Sequence, residues 1–141
     1  MKKRSHKLAY SKEYDFRLIG ISSHENDYRI CWAINRELGL RLNRTDNLAV
    51  YHKKTGVRQE FSLYRYYDEE TYLDYHLIAN RCEDGFLLEE LKNIDYFLRI
   101  SGDCEDDFTE RLLVKLKNTG IITTAFPASV PGLRSKDRLL F

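Results

Sequence analysis

Ser22, Ser23, His24, Glu25, Asn26 and Asp27 form the densest run of polar side chains in the chain, directly after an apolar stretch. His24 and Asp27 are close enough in sequence to serve as an acid/base pair. The free backbone N–H groups of a helix start would favour an anion beside them. No nucleophile and no third, orienting group stand at a characteristic spacing, and helix capping uses the same residue types. His6, His24, His52 and His76 are scattered singly, without a short-spaced partner, so no metal site is expected. Glycine-rich nucleotide loops are absent from the sequence, and no cofactor is expected. The paired acids Glu89-Glu90 and Asp106-Asp107 are sequence neighbours, whereas a glycosidase pair must face across a cleft.

Two further sets of residues suit binding. Tyr64-Arg65-Tyr66-Tyr67 interleaves aromatic and basic side chains as single-strand nucleic-acid platforms do. Glu60, Asp68, Glu69, Glu70 and Asp74 surround it and would repel phosphates. The chain ends are better placed for RNA, through Lys2, Lys3, Arg4 and Lys7 and through Arg134, Lys136 and Arg138. Charge is segregated along the chain although the net is only +1. Residues 1–54 carry +6, residues 55–110 carry −10 and residues 111–141 carry +5. Such a layout steers charged partners.

These groups need elements to position them. Phe16 and Leu18 alternate with Ile19 and Ile21 across a strand that becomes buried towards its end. Cys31, Ile34 and Leu38 recur on one face of a helix over 27–38, with Asn26 or Ser23 as N-cap and Gly39 beyond its end. Strand chemistry follows at 48–52, 61–67 and 72–79, with short turns that imply an antiparallel meander. Residues 86–88 and 94–100 read as strands, with a short helix start near Glu90. A second helix is expected over 105–118, acidic in its first turn and basic in its last, before a final strand at 121–126. The expected fold is therefore α+β, an antiparallel-dominated sheet with both helices on one face.

The 141 residues fit one domain over 1–126, with a basic arm at about 1–10 and a loosely ordered basic tail at 127–141. The basic N-terminus lacks the apolar h-region of a signal peptide, and no run is long enough to span a membrane. Cys31, Cys82 and Cys104 are odd in number and far apart, which suits free thiols in the cytoplasm.

Leu88-Glu89-Glu90-Leu91-Lys92-Asn93-Ile94-Asp95-Tyr96 resembles the signature of the bacterial family named for its IPExxxVDY motif. Glu90, Asp95 and Tyr96 match that motif, while Glu89 stands where the family has proline, freeing a backbone N–H. Leu18–His24, Asp27-Tyr28-Arg29, Trp32–Asn35 and Asn80-Arg81 are also similar to the family, so the likeness spans about residues 8–100. It brings no activity, cofactor or partner with it. On a strand Asp95 and Tyr96 point to opposite faces. Asp95 is expected to pair with Arg29 or Arg81.

Trp32 lies about 100° around the helix from Cys31, with Tyr28 one turn back and Arg29 and Arg36 beside it. A tryptophan so flanked is what a binding hot spot looks like, although burial competes. Tyr28, Arg29, Trp32, Arg36, Glu90, Asp95 and Tyr96 are thus the candidate binding residues, with His24 and Asp27 as candidates for catalysis. The expected function is a non-catalytic protein-binding or assembly module. A small enzyme or ligand binder at the His24 turn is the alternative, and RNA association through the basic ends a weaker one.

Overall fold

The computed structural model describes residues 16–130 and 132–141; the basic arm expected at 1–10 lies outside them. Strand β1 (Phe16–Ser22) is buried from Leu18 to Ile21 because it runs inside a sheet covered on both faces. Strand β9 (Tyr96–Ser101) lies on one side of it and β10 (Thr124–Pro127) on the other. Strand β6 (Leu73–Ala79) pairs with β9, β5 (Leu63–Asp68) with β6, and the short β2 (Asn43–Arg44) with β5. All five pairings are antiparallel, in the order β10-β1-β9-β6-β5-β2.

Helix α1 spans Asp27–Leu38, as its caps require. The Asn26 side chain accepts from the Arg29 N–H, and Gly39 takes the left-handed conformation at φ 67°. Helix α2 covers only Phe108–Lys117, not 105–118. Glu105, Asp106 and Asp107 are exposed and form a preceding turn, and the helix begins at Phe108, its first residue packed against the core. Ile30, Cys31 and Ile34 of α1 share one cluster with Leu112 and Leu116 of α2. Ile19, Ile21, Tyr75, Leu77, Leu98 and Ile100 supply the sheet side of that cluster. Both helices therefore sit on one face, and the fold is α+β.

The meander is correct for β5 and β6 but not for residues 48–52. Strand β3 (Leu48–Tyr51) pairs with β4 (Arg58–Phe61) in a hairpin outside the main sheet. The extended run expected over 61–67 breaks at Ser62, so Phe61 ends one hairpin and Leu63 opens a strand of the other sheet. A third pair joins β7 (Arg81–Cys82) to β8 (Gly85–Phe86).

The face away from the helices is covered too, by Phe61, Leu87, Leu88, Ile94, Val130 and Leu139 packed on Leu18, Ile78 and Phe97. The loose tail expected at 127–141 is thereby corrected. Val130 and Leu139 are buried, and a 3-10 turn spans Lys136–Leu139. Polar contacts hold the segment as well. Glu90 accepts from the Ser135 N–H and hydroxyl, both at 2.8 Å, and Arg138 donates to the carbonyls of Phe86 and Leu87. Burial alone would raise the pKa of Glu90, but these bonds and those from its own backbone outweigh it and hold the carboxyl below its usual value.

One turn is strained. Tyr72, between β5 and β6, has φ 62°, a region that bulky residues avoid. Gly102, at φ 127°, packs against it; a Cβ there would lie 2.8 Å from the Leu73 side chain and 3.0 Å from the Tyr72 carbonyl. Gly102→Ala is therefore expected to destabilise the fold by about 1–2 kcal/mol, checked by urea unfolding.

Candidate functional site

The turn after β1 opens into a cleft of about 570 Å³. Ser22, Ser23 and His24 form one wall, and Arg81, Asp95 and Tyr96 the other. The strand ends bring them together, because Ile21 pairs with Tyr96, and Tyr96 with Ala79 just before Arg81. Asp95 sits at the centre. It accepts from Arg81 Nη2 at 2.8 Å and from the Ser23 N–H at 2.8 Å. Of the two arginines expected for Asp95, it is Arg81 that pairs. Arg29 is engaged with Glu25 at 3.2 Å.

The hydroxyls of Ser22, Ser23 and Tyr96 in this cleft are committed to structure. Ser23 Oγ donates to the Ile121 carbonyl and accepts from the Glu25 N–H, and Ser22 Oγ donates to the Asn93 carbonyl. Tyr96 is buried in the helix-side core, and its hydroxyl donates to the Glu25 carbonyl at 2.7 Å. Burial pushes its phenol up to about 12, with the charges of Asp27 and Asp95 adding to the effect. The cleft thus offers fixed polar walls and the exposed His24 ring.

Asp27 does not meet His24. Its carboxylate accepts from the Tyr28 N–H and faces Tyr64, whose phenol rises to about 12 through burial and then through the charge and hydrogen bond of Asp27. The expected acid/base pair is therefore not assembled. Glu90 is also elsewhere, on the far face with Ser135, so the Leu88–Tyr96 stretch divides between two places. Burial pushes the Cys31 thiol up to about 11, which leaves it inert. Among the described residues no group of three His, Cys, Asp or Glu could hold a metal ion, and no helix is long and apolar enough to cross a membrane. Of the basic C-terminal residues, Arg138 is half-buried and donates to the backbone carbonyls of Phe86 and Leu87.

The exposed face of α1 is the second candidate. Tyr28 is 64% exposed and Trp32 56%, one turn apart. The Arg36 guanidinium lies 4.6 Å from the Trp32 ring centre, a cation–π contact that orders the indole in solvent. The buried residues of α1 are Ile30, Cys31, Ala33 and Ile34. The aromatic pair is thus left outside by the width of the apolar stripe.

Sequence reasoning named Asn80 only within the family likeness, without its structural role, and missed Arg99. Asn80 is fully buried, and its side chain bonds Leu91, Ile94 and Leu88 of the following segment. Arg99 is buried beneath the C-terminal segment, between the rings of Phe16 and Phe141. Its place in β9 between Leu98 and Ile100 resembles an ordinary outward polar position, and only the covered second face shows otherwise.

Comparison with protein-family models, with curated proteins and with solved structures finds no match to this chain.

Proposed function

We propose that this chain is a non-catalytic, cytoplasmic protein-binding or assembly module whose contact face is Tyr28, Arg29, Trp32 and Arg36 on α1. Kinship with the IPExxxVDY family is part of the same proposal and adds no activity to it. The observation that carries the reading is the exposed Tyr28–Trp32 ridge, with Arg36 stacked on the indole. Large rigid aromatics beside arginine supply much of the affinity at protein interfaces. Capture from a lysate of the source organism tests it: wild type should retain a stoichiometric partner at low salt, and Trp32→Ala should lose it. Recovery of no partner, or equal recovery by both proteins, opposes the reading.

The same substitution separates contact from core. Because the ring is more than half exposed, Trp32→Ala is expected to cost about 1 kcal/mol or less. A buried aromatic truncation costs about 3–5 kcal/mol. Urea unfolding distinguishes the two.

A second reading rests on the cleft, whose polar walls suit a small ligand beside His24. Small-molecule screening by His24 imidazole NMR shifts tests it. A hit that moves His24, and moves it no longer in Arg81→Ala, supports the cleft; a screen without such hits opposes it.

A further inference from the structure

The β5–β6 turn presents a second exposed aromatic, Tyr72, 72% exposed. Its backbone is pinned: the Tyr72 N–H donates to the Asp68 carbonyl at 2.7 Å, Leu73 is buried next to it, and Gly102 packs against its carbonyl. A tyrosine held at positive φ with its ring in solvent spends stability without gaining burial, which is the pattern of a site kept for contact. The surroundings are acidic. Glu69 and Glu70 lie in the turn itself, and Asp103 and Asp106 follow Gly102 beside it, all four exposed. The nearby cations are already engaged. Arg65 is held by both oxygens of Asp74 at 2.9 Å, and Arg111 by Glu105 and Asp107. Arg17 reaches Thr109 and the Cys104 carbonyl and meets no carboxylate of the described residues. It is one cation against four acids, so among the described residues this end carries net negative charge around an aromatic.

The α1 face has the opposite character. Trp32 and Tyr28 are exposed, Arg36 meets no carboxylate of the described residues within ion-pair distance, and Arg41 follows just beyond the helix, also exposed. Within one chain no ion pair or hydrogen bond among the described residues joins the two surfaces. We infer that the acidic end around Tyr72 docks on the Tyr28–Trp32–Arg36 face of a second copy of this chain. This rests on α1 being a contact face and names what that face takes. Two different patches meet, so the contact is heterologous, and copies add head to tail. Opposite charges steer the encounter, which makes it sensitive to salt.

Sedimentation with two variants tests this. The ridge variant is Trp32→Ala with Arg36→Glu, and the turn variant is Glu69→Lys, Glu70→Lys and Tyr72→Gly. Wild type should show concentration-dependent association at about 20 mM salt and revert to monomer near 0.5 M. Each variant alone should associate at least about tenfold more weakly. Mixed together, the two should form a discrete heterodimer, since each keeps one intact surface. Tyr72→Gly relieves the positive φ, so the turn variant should unfold no earlier than wild type, which separates lost docking from lost folding. Monomeric wild type at low salt, or a mixture that stays monomeric, overturns the inference. So does a chain lacking residues 1–14 that no longer associates, since the basic N-terminal segment would then be what the acidic end takes. If wild type is monomeric yet Trp32-dependent lysate capture succeeds, the second copy fails as the partner while α1 stands as a contact face.

Discussion

Asn80→Ala is expected to cost about 3–5 kcal/mol and to loosen residues 87–95 before the rest of the sheet. Asn80 is fully buried at the end of β6. Its Nδ2 donates to the carbonyls of Leu91 at 2.8 Å and Ile94 at 2.9 Å, and its Oδ1 accepts from the Leu88 N–H at 2.8 Å. One side chain thus satisfies three backbone groups of a segment that has little regular structure to satisfy them. Removing it leaves the Leu88 N–H and the Ile94 carbonyl buried without a partner, each costing about 1–3 kcal/mol, while the Leu91 carbonyl keeps the Ile94 N–H. The same segment places Leu87, Leu88 and Ile94 in the second core and delivers Asp95 to Arg81. Asn80→Asp should fare no better, because it turns the donor into an acceptor against two carbonyls. Urea unfolding and amide exchange over 87–95 check this; a loss below about 1 kcal/mol would show that water replaces the side chain.

The second large effect is a loss of stability on acidification between about pH 6.5 and 4, traced to His76. His76 is buried, and its Nδ1 faces Arg99 Nη2 at 3.0 Å, an arrangement that requires the neutral ring as acceptor. Burial lowers its pKa to about 4, the charge of Arg99 adds to the fall and that of Arg65 adds less, while Asp74, 4.0 Å away, opposes them. Burial likewise lowers Arg99 to about 10, with Asp74 opposing and Arg65 adding. Phe141 packs edge-on against the imidazole. The unfolded histidine binds its proton near pH 6.5 and the folded one only near 4. The unfolded state therefore holds more protons throughout that window. The stability is complete above the unfolded value and falls as pH drops towards the folded one, by on the order of 3 kcal/mol. Protonation also turns Nδ1 towards Arg99 as a second donor, so the C-terminal residues bound to Arg99 should open first. Unfolding midpoints at several pH values across the window check it. His76→Gln should flatten the dependence there, and an equal slope in both proteins would rule out His76 as its source.

What the sequence revealed, and what it hid, follows from the range of each interaction. Helix α1 is local: Asn26, Gly39 and the Cys31–Ile34 stripe define it within a few turns, and its bounds emerge unchanged. Both helices share one face because their apolar stripes are unmistakable at helical spacing. That Asp95 pairs with an arginine was legible as complementary charge, with Arg29 and Arg81 both open, and Arg81 is the one that reaches it. The C-terminal segment was hidden because Val130 and Leu139 are isolated apolar residues in a polar stretch, without a period to mark them. Its docking depends on Glu90 and Arg99, which lie far away in sequence. The same distance effect misplaced β3, whose alternation fits a strand but does not say which strand it meets. Glu90 and Asp95 looked like one site because they lie only five positions apart, yet a 3-10 turn at Glu89–Leu91 sends them to different faces.

The central claim is that the one tryptophan of the chain is a contact residue and not part of the core. Its fluorescence reads that directly, since no other indole contributes. In dilute isolated protein at high salt, emission should be red-shifted and freely quenched by iodide. In the complex recovered through Trp32-dependent capture, it should shift to the blue and become protected. Blue-shifted emission that iodide cannot reach in the dilute isolated protein would place Trp32 in the core and contradict the account.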